Sequence, residues 1–180
     1  KVGTMPKALL LENIHPDAAQ SLRDHGFEVE CLKGALSEDE LIDALEGVDL
    51  LGIRSKTSVT RKVIDARPTL TAVGCFCIGT NQVDLNAARE RGIIITNIPA
   101  YSTPSVGQMV FAHILNITQQ VRHYSEEVSK GNWSKNPDFC FYDTPLIELL
   151  GKKIGIVGLG QTGYNTARIA IGFGMKVCAY

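Results

Sequence analysis

The stretch IGIVGLGQTG, residues 154–163, decides how the second half of the chain folds. An amphipathic run over residues 164–173 and a second apolar run over residues 176–180 follow it. The stretch itself is a short apolar run of strand length that leads at once into three glycines spaced as G-x-G-x-x-G: Gly158, Gly160 and Gly163. Strand, turn, helix and strand in this order are the context in which the motif predicts a turn that binds a dinucleotide, rather than a glycine-rich turn that serves packing alone.

Each glycine of this turn has its own physical reason. Gly158 permits the tight turn, Gly160 lets the main chain approach a pyrophosphate, and Gly163 lets the helix pack against the strand. We predict that the amides of Gln161 and Thr162, at the positive end of the helix dipole, hold the phosphate oxygens.

The identity of the dinucleotide depends on an acidic residue that bonds the ribose hydroxyls and follows the glycines by about 20 residues. That distance places the acidic residue beyond Tyr180. The residues at hand therefore leave NAD and NADP both open, and NAD is predicted as the commoner of the two.

The first half of the chain alternates apolar runs of strand length with amphipathic runs of helix length, which is the pattern of parallel βαβ units. Strands are predicted at residues 7–11, 27–32, 50–54, 70–77 and 93–97. Helices are predicted at residues 16–25, after a capping box of Ser37 and Glu40, after Ser58 or Thr60, and after Asp84. The predicted fold class is α/β: a flavodoxin-like, doubly wound parallel sheet lobe over residues 5–103, followed by the start of a Rossmann dinucleotide-binding lobe over residues 104–180.

The second half is predicted to open with a connecting helix. One continuous helix is expected from Ser105 to about Gly131, and a loop from Asn132 to Pro145. Its apolar stripe is predicted to consist of Val106, Val110, Ile114, Ile117 and Val121. Residues 1–4 precede a plausible native start at Met5 and are interpreted as a remnant of cloning.

Composition narrows the class of protein. The formal net charge of −1 offers no long-range field for a polyanion, so nucleic acid is not an expected partner. The longest apolar stretch, residues 106–117, is too short for a bilayer, and no membrane association is expected. The cysteines lack metal-binding spacing and no secretory leader precedes them, which predicts a cytoplasmic protein with reduced, structural thiols and no metal site. The five are Cys31, Cys75, Cys77, Cys140 and Cys178, of which Cys75 and Cys77 are predicted to share one face of a strand.

Across essentially its whole length the sequence resembles the D-2-hydroxyacid dehydrogenase family. The glycine turn, the strand-end loop GTNQVD at residues 79–84 and the long helix occur in the family's order. Residues 33–36, 52–57 and 73–84 resemble most the D-3-phosphoglycerate dehydrogenase branch, whereas residues 97–103 and 136–145 resemble the glycerate dehydrogenase (hydroxypyruvate reductase) branch. A natural intermediate and an engineered join would both produce this mosaic.

The resemblance implies roles for two strand-end loops. In the family, the main-chain amides that match Ile78 and Gly79 hold the substrate carboxylate. In the phosphoglycerate branch, the residues that match Arg54 and Ser55 help to bind the substrate phosphate, which suits a guanidinium group. The alternative interpretations are a solvated charge for Arg54 and an ordinary strand-to-helix turn for residues 78–79.

Two positions depart from the phosphoglycerate branch. Ser102, a candidate substrate-binding residue, stands where that branch has asparagine, and Pro104 stands where it has arginine. These differences weaken the expectation of 3-phosphoglycerate as the substrate and leave glycerate or hydroxypyruvate open.

The implied activity is hydride transfer between the nicotinamide of NAD and a small 2-hydroxy acid. The family's catalytic arginine, glutamate and histidine are expected beyond Tyr180, so no catalytic residue is predicted within this chain and residues 1–180 alone are expected to show no turnover. A homo-oligomer is expected, formed through residues 105–131 and the incomplete Rossmann lobe. Two alternatives stay open: an NAD-sensing, non-catalytic scaffold of the same fold, and an inactive folding or design fragment.

Overall fold

The computed structural model describes residues 5–180. The segment 1–4, interpreted above as a cloning remnant, lies outside the described residues. The chain divides into two compact units, the first of which ends at Pro99 and the second of which comprises Ala100–Tyr180. The division thus falls slightly before the predicted limit between residues 103 and 104.

The first unit is one parallel sheet with helices between its strands. The strand order is β2-β1-β3-β4-β5, the flavodoxin-like order, and every neighbouring pair is parallel. The predicted fold class is therefore confirmed for this unit. The strands are β1 (Lys7–Leu10), β2 (Glu28–Cys31), β3 (Leu50–Ile53), β4 (Ala72–Cys75) and β5 (Ile94–Asn97), and the helices are α1 (Pro16–Asp24), α2 (Glu38–Ala44), α3 (Arg61–Ala66) and α4 (Leu85–Glu90).

The core of the first unit explains why its central strands read as apolar runs. Leu9, Leu51 and Val73 are in register across β1, β3 and β4, and each is at most 1% exposed. Strands covered by helices on both faces have no solvent side, so polar alternation is absent from them. All five strands end at one edge of the sheet, where the connecting loops meet.

Local capping fixes the starts of three helices. Ser37 N donates to Glu40 Oε2 at 2.8 Å, which is half of the predicted capping box. Thr60, rather than Ser58, caps α3, because its Oγ1 accepts from Val63 N at 3.4 Å. Asp84 caps α4 by accepting from Ala87 N at 2.9 Å.

The second unit contains a pair of parallel strands and four helices. Phe111 and Phe173 stack with ring centroids 5.2 Å apart, and together with buried Leu149 and Ala170 they mark its core. Gly107 faces Asn165, and a Cβ at Gly107 would displace the side-chain amide of Asn165. The elements are α5 (Thr103–Gln119), α6 (Val121–Ser129), α7 (Asn132–Lys135), β6 (Lys153–Ile156), α8 (Gln161–Gly172) and β7 (Lys176–Ala179).

The prediction of one continuous connecting helix is wrong. Gln120 adopts a left-handed conformation, φ +52°, which ends α5 and starts α6 in a new direction. The predicted loop 132–145 also begins with a short helix, α7. A left-handed residue other than glycine has no clear signature in the sequence, so the apolar periodicity predicted a helix that continues beyond Gln120.

The predicted apolar stripe of this helix is only partly the packed face. Val106, Ile117 and Val121 are 40%, 67% and 61% exposed, whereas Gly107 and Phe111 are buried. The face of α5 that packs against α8 includes Gly107, and a prediction based on large apolar side chains does not detect a glycine. No helix within residues 5–180 has both the length and the apolar character needed to cross a membrane.

The glycine turn lets α8 start directly after β6. Gly158 has a φ of +90°, a conformation that favours glycine. A Cβ on Gly163 would overlap the carbonyl oxygen of Gly158 and come within 3.2 Å of Ile156 Cγ2. The helix begins at Gln161, not near Tyr164 as predicted, so the first helical turn belongs to the glycine motif itself.

Glu12 closes the turn that follows β1. It lies in the left-handed region, φ +60°, and its carboxylate accepts from three main-chain amides, those of Ser55, Lys56 and Thr57, at 2.8–3.0 Å. Burial alone would raise the pKa of Glu12, but the amides of Thr57 and Lys56 outweigh it and hold the pKa below its ordinary value of 4.5. An ionised Glu12 thus fixes the loop that carries Arg54.

Glu12→Gln should make the first unit less stable at neutral pH by roughly 1–3 kcal/mol, because one amide oxygen replaces the carboxylate that three amides share. Since the pKa of folded Glu12 lies below 4.5, its contribution is complete above that pH and is lost as the pH falls through the folded pKa. The wild type and the variant should therefore converge in acid. Urea unfolding followed by circular dichroism at several pH values measures this. Glu30→Gln, at an exposed position of β2, is the matched control; equal effects of the two substitutions at neutral pH would contradict the role of Glu12.

Gly163→Ala should lower the free energy of unfolding of the second unit by about 1–3 kcal/mol, because the new methyl group forces α8 away from Gly158. Trp133 is the only tryptophan and lies in this unit, so its fluorescence reports the transition. Gly172→Ala, in the same helix and with open space at its Cβ position, is the control and should be neutral or stabilising by up to about 1 kcal/mol. Similar changes for both variants would show that the close contact at Gly163 does not matter.

Candidate functional site

Loop 76–81, after β4, presents two unpaired main-chain donors. Within the part of the chain that the structure describes, the amides of Ile78 and Gly79 donate to no protein acceptor. Ile78 is 44% exposed, so solvent reaches this loop. Free N–H groups side by side at the carboxyl edge of a parallel sheet can bind an anionic oxygen.

The carbonyl groups of Ile78 and Gly79, in contrast to their amides, are occupied by protein donors. Asn97 Nδ2 donates to Ile78 O at 2.7 Å, and Gln82 Nε2 donates to Gly79 O at 3.3 Å. Gln82 Nε2 also donates to Arg54 O at 2.7 Å, which joins the loops that follow β3 and β4. At residues 78 and 79 the main-chain donors are thus free while the main-chain acceptors are filled.

Arg54 and Ser55 lie beside a pocket of about 350 Å³ at the ends of β1, β2 and β3. Three cationic side chains line it, and among residues 5–180 none of them forms an ion pair. Ser55 N is engaged by Glu12, which leaves the Ser55 hydroxyl for a ligand. The lining residues are Glu12, Lys33, Gly34, Ala35, Arg54, Ser55 and Lys56. Guanidinium and ammonium groups without carboxylate partners suit a phosphate or a second carboxylate.

Cys75 and Cys77 do not share a strand face as predicted. Strand β4 ends at Cys75, which is buried, and burial raises the pKa of its thiol to about 11. Cys77 lies in the bend beyond, where its Sγ is 3.3 Å from Arg54 O and 3.2 Å from Gly79 O. The thiol of Cys77 therefore donates to the loop carbonyls, while Cys75 is an inert part of the core. All five cysteines are free, and no group of metal-binding side chains occurs within the described range.

In the second unit the glycine turn has the shape that a diphosphate needs. Gly160 is the N-cap of α8, and open space surrounds the position that a Cβ would occupy on it. The amides of Gln161 and Thr162 begin the helix, whose first turn holds no acidic residue. First-turn amides have no acceptor inside their own helix, and the helix dipole adds positive potential there. The residues present therefore fit the phosphates of a dinucleotide.

Ser102 belongs to the second unit, not to the first unit to which it was assigned. It is the N-cap of α5, and its side chain forms no capping hydrogen bond. Its hydroxyl is therefore not committed to the helix.

Sequence reasoning placed Asn97 at the end of a predicted strand, but it identified neither Glu12 nor the bonds that Gln82 and Asn97 form at this edge. Glu12 and Lys33 follow β1 and β2 closely, so the rule that ligands meet the carboxyl ends of parallel strands would have identified both. Nothing in the sequence shows that the side chains of Gln82 and Asn97 turn back to bond loop carbonyls.

Comparison with protein families gives one match that covers most of the chain. Residues 8–169 match the model "D-isomer specific 2-hydroxyacid dehydrogenase, catalytic domain". A putative D-3-phosphoglycerate dehydrogenase from Schizosaccharomyces pombe is 42% identical over 174 residues, which is 97% of this chain and 36% of that protein. A hydroxypyruvate reductase from Blautia hydrogenotrophica is 44% identical over 142 residues, 79% of this chain and 44% of that protein. The chain thus spans less than half the length of these relatives, and both predicted branches occur among them.

Solved structures lead to the same group of enzymes. The D-lactate dehydrogenase of Aquifex aeolicus, solved with NAD and lactic acid, superposes with a TM-score of 0.72 at 26% identity; the match covers 96% of this chain and 50% of the other. NAD is the cofactor of the group, which confirms the choice of NAD over NADP that the glycine turn alone had left open. The sequence match, the parallel α/β sheet and the glycine turn agree, and the chain belongs to the D-isomer specific 2-hydroxyacid dehydrogenase family.

Proposed function

We propose that this chain is the N-terminal portion of an NAD-dependent oxidoreductase that transfers a hydride between nicotinamide and a small 2-hydroxy acid. The observation that carries the proposal is the pair of free amides at Ile78 and Gly79, two residues at the carboxyl edge of the sheet whose own carbonyls are filled. The first unit binds the acid, and the second unit binds the diphosphate of the cofactor.

The substrate is proposed to bind by its carboxylate first. A carboxylate oxygen accepts from Ile78 N and Gly79 N. Both donors are main-chain groups with fixed positions, and Gly79 has no side chain that would obstruct the approach. The cationic pocket at Arg54 and Ser55 supports a second anionic group, which favours a phosphorylated acid such as 3-phosphoglycerate. Ser102 and Pro104 favour glycerate or hydroxypyruvate instead, as does the relative named hydroxypyruvate reductase.

In the second unit, Gly158, Gly160 and Gly163 shape the turn, and the amides of Gln161 and Thr162 hold the phosphate oxygens. Bound NAD supplies the nicotinamide carbon that accepts or donates the hydride. Residues 1–180 supply binding and orientation, while the acid–base and polarising groups of the family are assigned to the remainder of such enzymes. We therefore expect ligand binding by this chain without turnover.

Oligomer formation and location are further parts of the proposal. Residues 105–131 expose Met109, Ile117 and Val121 at 57%, 67% and 61%, which supports pairing of this surface with a second copy. The five free thiols support a reducing compartment such as the cytoplasm.

NADH should shift the amide resonances of Gln161 and Thr162 in a ¹⁵N-labelled chain. Gly160→Ala should weaken NADH binding about tenfold or more, because a methyl group fills the space that the diphosphate approaches, while the chain stays folded. Gly172→Ala should bind like the wild type. If saturating NADH leaves the wild-type amides at 161 and 162 unchanged, the cofactor assignment is incorrect.

Arg54→Met should weaken binding of 3-phospho-D-glycerate about tenfold to a hundredfold and leave D-glycerate within about twofold, since only the phosphate needs the guanidinium group. Arg89→Met, at an exposed position of α4, is the control. Isothermal titration of both ligands measures the difference. An equal loss for both ligands, or no loss for either, would exclude a phosphate site at Arg54 and leave an unphosphorylated acid as the substrate.

A further inference from the structure

Two side-chain amides hold the free donors of loop 76–81 in place from the protein side. Asn97, the last residue of β5, donates through Nδ2 to Ile78 O at 2.7 Å. Gln82 donates through Nε2 to Gly79 O at 3.3 Å and to Arg54 O at 2.7 Å. We call Gln82 and Asn97 the amide pair.

The geometry of the peptide group turns one of these bonds into a directional constraint. In a trans peptide the C=O and the following N–H point in opposite directions within one plane. Residues 5–180 contain no cis peptide bond. When Asn97 holds Ile78 O, the N–H of Gly79 must point away from Asn97. The side chain of Asn97 thereby sets the direction of a donor that it does not touch.

Gln82 acts from a fixed main-chain position. Its carbonyl accepts from Val59 N at 2.8 Å, and Asp84 N donates to Val59 O at 2.9 Å, so residues 82–84 are paired with Val59. From there one Nε2 reaches carbonyls of both strand-end loops, at Arg54 and at Gly79. A single planar amide group that bonds both loops holds them at a constant separation.

Cys77 strengthens the same junction. Its Sγ lies 3.2 Å from Gln82 Nε2 and within 3.3 Å of Arg54 O and Gly79 O. The amide of Gln82 therefore has acceptors on several sides and is half-buried among them. A side chain so placed has little rotational freedom, in contrast to an exposed glutamine on a helix.

We propose that Gln82 and Asn97 are positioning residues of the substrate site: Asn97 directs the Gly79 N–H toward the substrate carboxylate, and Gln82 fixes the distance between that donor and Arg54. This inference rests on the proposed function of the loop. Neither side chain contacts the substrate. The substrate class is a 2-hydroxy or 2-keto acid whose carboxylate meets the loop, and an acid with a second anionic group depends on both residues.

The test uses Gln82→Met and Asn97→Leu, which keep size and neutrality and remove the donor. Without ligand, the ¹⁵N heteronuclear NOE should fall at Gly79 in Asn97→Leu and at Thr80 in Gln82→Met, because each variant releases the peptide plane whose carbonyl the side chain held. In titrations, affinity for 3-phospho-D-glycerate should fall about tenfold in both variants, whereas affinity for D-glycerate, which has no second anionic group, should fall about tenfold in Asn97→Leu alone. NADH binding at the second unit and the unfolding midpoint should stay as in the wild type. Asn86→Leu, at an exposed position of α4, is the matched control and should change neither readout.

The outcomes separate this inference from the proposed function. If D-glycerate does not shift Ile78 N and Gly79 N in the wild type, the proposed function falls and the positioning role falls with it. If the wild type binds and both variants bind within about twofold, the positioning role alone is overturned. Should either variant unfold, Gln82→Glu and Asn97→Asp replace them, with Asn86→Asp as the control for charge. Weaker binding than in that control then supports the role, and equal binding overturns it.

Discussion

At one edge of the sheet in the first unit, some main-chain donors have no hydrogen-bond partner within residues 5–180 while the neighbouring acceptors have one. The proposed binding site depends on this difference. Strands of a parallel sheet end together, and each ends with peptide groups that no neighbouring strand can pair. In this chain the acceptors at the ends of β3 and β4 are filled by the side chains of Gln82, Asn97 and Cys77. The donors divide: those of residues 55–57 are filled by Glu12, and those of Ile78 and Gly79 are free. One short row of donors thus remains for an anion.

The second unit also has free main-chain amides, but they are free because they lie in the first turn of a helix. Where α8 begins, Gly158 and Gly163 allow the helix to start immediately after β6, and the unpaired amides of its first turn follow from helix geometry alone. No side chain needs to fill the neighbouring carbonyls. The anion site proposed for the first unit depends on hydrogen bonds between distant residues, whereas the one proposed for the second unit depends on local steric requirements. This difference explains why a short sequence motif, G-x-G-x-x-G, predicts the second site, whereas no comparable motif predicts the first.

It also explains how much the sequence could predict. The alternation of strands and helices, the turn glycines and the cap at Asp84 follow from local rules, since periodicity and a few residue types at fixed spacing determine them. The break at Gln120 and the packing of Gly107 against α8 depend on tertiary contacts, and apolar periodicity gave the wrong helix length and an incomplete packed face. Glu12 and Gln82 reach residues 43 and 28 positions away, respectively, and a polar side chain carries no sign of so distant an acceptor or donor. Cys77 was assigned to a strand because it continues the apolar run, and only the structure shows that β4 ends two residues earlier.

The filled carbonyls around residues 78 and 79 have a thermodynamic meaning for whatever anion binds there. Because the peptide planes are already oriented in the ligand-free protein, binding requires no reorganisation of the loop, and the ordering entropy was spent when the chain folded. The dipoles face the anion before it arrives. A preorganised set of this kind tolerates little displacement of its ligand, so a carboxylate bound as proposed would be selected for its planar shape as much as for its charge.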